Sequence, residues 1–201
     1  MNKNLLILII LIVPGFVYAQ NRLVGGPCEG CEAVFEYGDQ KLTPVDTLPG
    51  FENAETRLKV TGTIYKPDGK SPAPNVILYI HHTNEEGVYP TRGDETGWGR
   101  RHGYLRGWIK TDSSGRYTFY TRKPGFYGTG PAHIHPTILE PDGKFYYIDD
   151  IVFESDPRVT GRYKENKENR GGSGVVKLKK KGDLLLAKRD IILGKNIPNY
   201  E

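Results

Sequence analysis

Cysteine is scarce in this chain of 201 residues, which has only Cys28 and Cys31, arranged Cys-Glu-Gly-Cys. Two cysteines are too few for a disulfide framework, and without a second pair they cannot form a zinc ribbon. No strand pattern precedes them and no helical pattern follows, so a thioredoxin-like redox site is not expected. In an exported protein this spacing favours a local disulfide that closes a very small loop.

Strong net charge is also absent, as are long apolar runs after residue 19. The formal charge of +4 is mild, whereas nucleic-acid binding needs a clustered basic face. The only basic run comprises Lys177, Lys179, Lys180 and Lys181, just before a Gly-Asp pair, and is typical of a solvated hairpin tip. Spanning a bilayer takes about 20 apolar residues. The sequence therefore predicts a soluble mature protein with neither a membrane span nor a nucleic-acid partner.

The first 19 residues predict an export signal. Lys3 supplies a positive charge, residues 5–13 are apolar, and Val17-Tyr-Ala19 is typical of a cleavage site. We expect the mature protein to begin near Gln20 and to act in the periplasm or outside the cell. Lipid attachment at Cys28 is not expected, because this residue lies well past the apolar run.

The rest of the chain divides into residues 20–56 and residues 57–201. The first part is rich in Gly, Pro and acidic residues without a sustained period. We interpret it as an extended arm that packs on the domain or on a neighbouring subunit of a homo-oligomer.

From residue 57 onward, short apolar-polar alternations are separated by turn signals rich in Gly, Pro and Asp. The predicted strands cover residues 58–65, 75–80, 103–111, 116–121, 133–139, 145–153, 175–178 and 184–193. No segment has a convincing amphipathic helical period. The pattern predicts an all-β domain, an antiparallel β-sandwich of two sheets with long pocket-forming loops.

The most informative segment is residues 123–135, Lys-Pro-Gly-Phe-Tyr-Gly-Thr-Gly-Pro-Ala-His-Ile-His. Side chains alternate in a strand, so His133 and His135 project to one side while Ile134 faces a core. Tyr127 precedes them across a turn that can aim its phenol at the same point. Two imidazoles and a phenolate suit a transition metal such as iron. The alternative is a half-buried strand with a surface tyrosine, since His-x-His alone is common.

The polar stretch between His81 and Arg101 is long for a loop in a compact sandwich, and such loops often carry function. It holds Tyr89, Arg92 and Trp98 among other aromatic and charged residues, and so predicts the wall of a pocket. His81 and His82 end the preceding strand. We expect one of them to face the pocket, where it is a candidate for orienting a ligand, and the other to be solvated.

Several segments together resemble the intradiol ring-cleavage dioxygenases, the catechol and protocatechuate 3,4-cleaving group. They occur in the family's order, at residues 60–65, 67–69, 105–107, 111–117, 123–127, 131–135 and 152–157. The combination of Lys-Pro-Gly-x-Tyr with Pro-Ala-His-x-His is the most specific part. The resemblance covers roughly residues 57–195.

This resemblance implies a non-haem Fe(III) bound by two tyrosines and two histidines. Three ligands carry over directly as Tyr127, His133 and His135, and the fourth matches Tyr89 of a Gly-Val-Tyr stretch. Weaker candidates for the fourth ligand are Tyr79 and Tyr104. The resemblance also implies that O2 cleaves a catechol-type substrate between its two hydroxyl-bearing carbons. Tyr127 would be the axial ligand that leaves the iron and acts as a base.

One position departs from the family, because Gly130 stands where an arginine usually precedes Pro-Ala-His. Either another cation replaces it, the substrate differs, or the site binds iron and catechols with little turnover. Arg92, Arg100 and Arg101 are candidate cations, and we take Arg92 as the catalytic candidate. The family's helical dimerisation segment is also replaced by the arm.

Two other functions are compatible with these residues. One is a binding or interaction module that keeps the dioxygenase fold, and Gly130 favours it. The other is a zinc hydrolase, in which His133 and His135 would need a third ligand such as Glu140 or Asp142.

Overall fold

The computed structural model describes residues 20–201, and the predicted export signal lies outside them. Its strands are β1 (Arg22–Leu23), β2 (Val45–Thr47), β3 (Arg57–Tyr65), β4 (Ile77–His82), β5 (Arg106–Lys110), β6 (Arg116–Arg122), β7 (His133–Leu139), β8 (Lys144–Tyr147), β9 (Ile151–Phe153), β10 (Val175–Val176), β11 (Lys179–Lys181), β12 (Leu184–Lys188) and β13 (Ile191–Ile192). The helices are a 3-10 turn at Cys31–Phe35, α1 at Gly99–His102 and α2 at Gly161–Glu165. Within residues 20–201 we find no helix whose length and apolar character would let it cross a membrane.

Two sheets form a sandwich, as the sequence predicted. One sheet has the order β1-β8-β7-β4-β5, with β9 beside β7 and β10 beside β9. The other has the order β11-β12-β3-β6-β2, with β13 also paired to β3. The central pairs are antiparallel. In contrast, β1 pairs with β8, β2 with β6, β10 with β9, and both β12 and β13 with β3 in parallel, so both sheets are mixed. An alternating pattern predicts which face a residue takes and carries no information on strand direction.

The core lies between the sheets and follows the alternation of the strands. Alternate residues of β3 are buried, among them Leu58, Val60 and Ile64. They pack in one apolar cluster with Phe119 of β6 and Ile134 of β7. Ile134 is fully buried, and the side chains on either side of it in β7 therefore point away from the core.

The N-terminal arm packs on this same body. Its strands β1 and β2 extend the two sheets, and Cys28 and Cys31 form the predicted disulfide, with Cα atoms 5.7 Å apart. Ala33 and Val34 are fully buried in a second apolar cluster behind the first sheet. Of the two interpretations of the arm, the structure supports packing on its own domain; a homo-oligomer stays a prediction.

Two predicted strands are interrupted. Residues 145–153 form β8 and β9, separated by a loop that contains Asp149 and Asp150. Residues 184–193 form β12 and β13, separated at Arg189 and Asp190. Both interruptions bring charged groups to bends in otherwise apolar runs. The basic run forms part of the exposed β11–β12 hairpin, as predicted.

Candidate metal centre

The structure brings together all four residues named as metal ligands from the sequence. β7 supplies His133 and His135, whose Nε2 atoms lie 3.0 Å apart. The Tyr127 hydroxyl oxygen lies 3.3 Å from each of these nitrogens. The Tyr89 hydroxyl oxygen lies 2.9 Å from His135 Nε2 and 3.2 Å from the Tyr127 hydroxyl. Two nitrogens and two oxygens therefore converge on one point.

The outer nitrogens of both imidazoles are held by acceptors. His133 Nδ1 lies 2.7 Å from the carbonyl oxygen of Pro131, and His135 Nδ1 lies 2.9 Å from a carboxylate oxygen of Asp150. Both acceptors require a proton on Nδ1, which leaves each neutral ring with a lone pair on Nε2. Two such lone pairs 3.0 Å apart repel each other unless a cation or a proton lies between them.

These distances fit a metal ion. Bonds of about 2.0–2.2 Å from a metal to nitrogen or oxygen place neighbouring donor atoms about 3 Å apart. Five of the six separations between the four donors run from 2.9 to 3.3 Å. The residues present therefore fit a metal bound by two imidazoles and two phenolates.

Asp150 is a site residue that the sequence analysis missed. Its carboxylate and the ring nitrogens of His133 and His135 lie within 4.8 Å of one another, so these three residues could also hold a metal ion. Asp150 bonds the Nδ1 of His135, on the opposite side of the ring from the converging Nε2 atoms, and we therefore assign it to orienting His135. Burial would raise the pKa of the Asp150 carboxyl, but the hydrogen bond from His135 and the nearby charges of His135, His133 and Lys167 together lower it.

Two glycines allow the backbones of the Tyr89 and Tyr127 loops to pack closely against each other. Gly87 has φ +77°, and a Cβ there would lie 2.1 Å from the Phe126 carbonyl oxygen. A Cβ on Gly125 would lie 2.0 Å from the Glu85 carbonyl oxygen. The glycines of Gly-x-Tyr and Lys-Pro-Gly-x-Tyr thus permit a backbone contact that any other residue would prevent.

The two tyrosines differ in their surroundings. The side chain of Tyr127 is 40% exposed. That of Tyr89 is more buried and packs beside His135. Burial raises the pKa of the Tyr89 phenol above its ordinary value, and the hydrogen bond to Tyr127 raises it further. The weaker candidates lie outside the donor set, since the Tyr79 hydroxyl bonds His102 at 2.8 Å and Tyr104 stacks under Arg92.

A stack of imidazoles stands behind the site. His81 lies between His102 and His135, with ring centroids 3.7 and 4.6 Å away. Burial holds the pKa of His81 well below its usual value, and neighbouring His135 lowers it further. His81 therefore faces the site, as expected of one histidine. The expectation that the other is solvated was wrong, because His82 is buried and its Nε2 lies 2.7 Å from the hydroxyl of Thr121.

A cavity of about 310 Å³ opens in front of the converging donors. It is lined by Glu29, His81, Tyr89, Trp98, Arg101, His102, Tyr127 and His135. The predicted loop wall is thus represented by Tyr89, Trp98 and Arg101.

Arg92, our catalytic candidate, is not among these lining residues. Its guanidinium carbon lies 4.4 Å from the centre of the Tyr104 ring. Arg101 is the loop arginine that lines the cavity, so a catalytic role for Arg92 stays a prediction.

The carboxylates suggested for a zinc site are engaged elsewhere. Glu140 accepts hydrogen bonds from Tyr146 and Tyr200, and Asp142 accepts one from Lys144. Neither belongs to the cluster around His133 and His135. This arrangement does not favour the zinc hydrolase.

Sequence comparison finds two kinds of similar protein, although no family model matches the chain. The chain is 30% identical over 135 residues to the protocatechuate 3,4-dioxygenase β chain of Burkholderia cepacia, an alignment that covers 60% of this chain and 57% of that protein. It is 38% identical over 87 residues to catechol 1,2-dioxygenase 1 of Acinetobacter lwoffii, covering 43% and 27%. The chain thus spans less than two thirds of either relative.

Solved structures share the fold. The dioxygenase domain of a carbohydrate-binding fusion protein from Streptomyces sp. SirexAA-E superimposes with a TM-score of 0.57 at 21% identity, covering 78% of this chain and 92% of that one. Catechol 1,2-dioxygenase from Acinetobacter sp. ADP1 gives a TM-score of 0.56 at 20% identity, covering 91% and 62%. At these identities the likeness concerns the fold alone.

Proposed function

Because this chain belongs to the intradiol ring-cleavage dioxygenase family, we propose that it is a non-haem Fe(III) enzyme acting on a catechol-type substrate. O2 would cleave the aromatic ring between the two hydroxyl-bearing carbons, and both oxygen atoms would enter the product. The convergence of Tyr89, Tyr127, His133 and His135 carries this proposal.

The donor set favours iron over other metals. Two phenolates bring two negative charges, which match a hard trivalent cation, and phenolate is a known ligand of iron. Zinc in proteins is bound mainly by Cys, His, Asp and Glu. Bound Fe(III) would act as a Lewis acid that lowers the pKa of the phenols it holds, those of the protein and of the substrate alike.

Exposure separates the roles of the two tyrosines. Tyr127 lines the cavity from a Gly/Pro-rich loop and is 40% exposed, so its phenolate oxygen has room to move away and accept a proton from a substrate hydroxyl. Tyr89 packs beside both His81 and His135 and is suited to remain in place. The Nδ1 bonds of His133 and His135 keep both imidazoles fixed while Tyr127 moves.

The cavity offers aromatic walls for a planar substrate ring. Trp98 and Tyr89 line it together with the stacked rings of His81, His102 and His135. Such walls exclude water and orient an aromatic ring toward the donors. A cation that polarises the bound substrate would come from the long loop, where the sequence suggests Arg92 and Arg101 lines the cavity.

A second candidate function is favoured by Gly130. A module with the dioxygenase fold could bind iron and catechols with little turnover if no cation replaces the family arginine. This function shares the metal site with the first and differs from it only in chemistry.

Oxygen consumption distinguishes the two functions. Purified protein loaded with iron is mixed with catechol while the visible spectrum and dissolved O2 are followed. The dioxygenase should consume one O2 for each catechol and form a ring-opened diacid. A spectral change without O2 uptake would identify the binding module, and protein that takes up no iron would contradict both.

A further inference from the structure

The arm segment at residues 27–36 is anchored beside the proposed active site. The Glu36 carboxylate accepts a hydrogen bond of 2.8 Å from the backbone N–H of Trp98 and one of 2.5 Å from Arg106. The indole N–H of Trp108 donates to the Ala33 carbonyl at 3.0 Å. These contacts tie the arm to both the long loop and the first sheet, so its position at the cavity is fixed.

The disulfide loop at the tip of this segment forms part of the cavity wall. Gly30 has φ +87°, and a Cβ there would lie 2.7 Å from His102 Nε2 and 3.3 Å from Trp98. The backbone therefore packs directly on the aromatic wall. Neighbouring Glu29 lines the same cavity as Tyr127 and His135.

Glu29 and Arg101 form an ion pair in this wall. Glu29 is the one carboxylate and Arg101 the one guanidinium among the described residues that line this cavity, so their opposite charges cancel. Both side chains are about two thirds exposed, at 68% and 64%. An exposed pair of this kind is weak and can be opened by a competing ligand.

We propose that Glu29 makes the site select catechols without a ring carboxylate over carboxylated ones, an inference that rests on the proposed function. A substrate carboxylate near Arg101 would be repelled by Glu29 and would have to displace it from the guanidinium, whereas an uncharged catechol does neither. The similar proteins include one named for each class, since protocatechuate carries a ring carboxylate and catechol does not.

Removing the charge of Glu29 tests the inference. Glu29→Gln has a matched control in Glu32→Gln, which makes the same change of charge at an exposed position of the arm outside the cavity. Dissociation constants of catechol and 3,4-dihydroxybenzoate are measured from the visible spectrum of the iron-loaded proteins. Glu29→Gln should tighten 3,4-dihydroxybenzoate relative to catechol about three- to fivefold, as expected for an exposed pair, and Glu32→Gln should leave the ratio unchanged.

The double variant Glu29→Gln/Arg101→Gln identifies the partner of the carboxylate. It should bind 3,4-dihydroxybenzoate no more tightly relative to catechol than the unchanged protein does, because the Arg101 guanidinium that would bind the substrate carboxylate is absent. Equal ratios in the two single variants would overturn the inference, as would a gain that persists in the double variant. Catechol binding with an unchanged ratio refutes only the role of Glu29, whereas failure of every protein to bind catechol refutes the proposed function itself.

Discussion

Asp150 accepts a hydrogen bond from Nδ1 of His135 at 2.9 Å, on the side of the ring opposite the converging donors. This contact fixes both the tautomer and the orientation of the imidazole, as carboxylates commonly do behind metal-bound histidines. It links the loop between β8 and β9 to the proposed iron site.

Asp150→Ala should weaken iron binding about 10- to 100-fold, because His135 loses the group that orients it. Asp150→Asn keeps an oxygen acceptor at this position and should retain most of the affinity. Competition with a chelator of known affinity measures both variants. Equal affinities in Asp150→Ala and the unchanged protein would contradict the orienting role.

Gly87→Ala should destabilise the protein by more than about 2 kcal/mol, since its methyl group would overlap the Phe126 carbonyl at 2.1 Å. Gly128→Ala is the matched control, with φ +58° but nothing within 4 Å of the added Cβ. It should cost about 1 kcal/mol, from backbone conformation alone. The free energy of unfolding in urea is measured for both variants, and their difference gives the cost of the overlap. Equal losses of stability in the two variants would show that the close contact between the loops is unimportant.

Gly130→Arg should leave stability within about 0.5 kcal/mol, because a Cβ at Gly130 meets nothing within 4 Å. If the missing arginine limits turnover, the variant should lower the barrier on catechol by about 1–3 kcal/mol. If a loop cation has replaced it, Gly130→Arg should be neutral or inhibitory, while Arg92→Ala or Arg101→Ala should be slow. Rates of O2 uptake decide between these cases, and slow turnover in all four proteins would favour the binding module.

We further propose that the protein is exported with its disulfide formed. Intact mass of protein recovered outside the cytoplasm should correspond to a chain starting near Gln20 and should rise by two hydrogens on reduction. A mass that retains residues 1–19, or thiols that react before reduction, would contradict this proposal.

Local patterns in the sequence predicted the sandwich and the convergence of Tyr127, His133 and His135, and the family resemblance added Tyr89. His133 and His135 are two residues apart on one strand, and the glycines before Tyr89 and Tyr127 shape their loops locally. Asp150 was missed because the largely apolar residues 145–153 predict one continuous strand, whereas the structure has a loop there. The spacing of Asp150 in the sequence also gives no sign of a contact with His135. That contact depends on how β9 returns beside β7, a tertiary pairing.

The wall formed by the arm was equally beyond prediction. Residues 20–56 have no period that would place Glu29 opposite Arg101, and the pair is separated by 72 positions. The arm is positioned instead by buried contacts such as that of Trp108 with Ala33. Likewise, the sequence does not show which of Arg92 and Arg101 faces the cavity, because their positions depend on how the long loop folds.

Iron content and visible absorption of His135→Ala test the central claim most directly. The unchanged protein should bind about one iron per chain and show the burgundy colour of tyrosinate-to-Fe(III) charge transfer. His135→Ala should lose both, because it removes the nitrogen that lies within 3.3 Å of the other three donors. Full iron content and full colour in His135→Ala would contradict the assignment of this site.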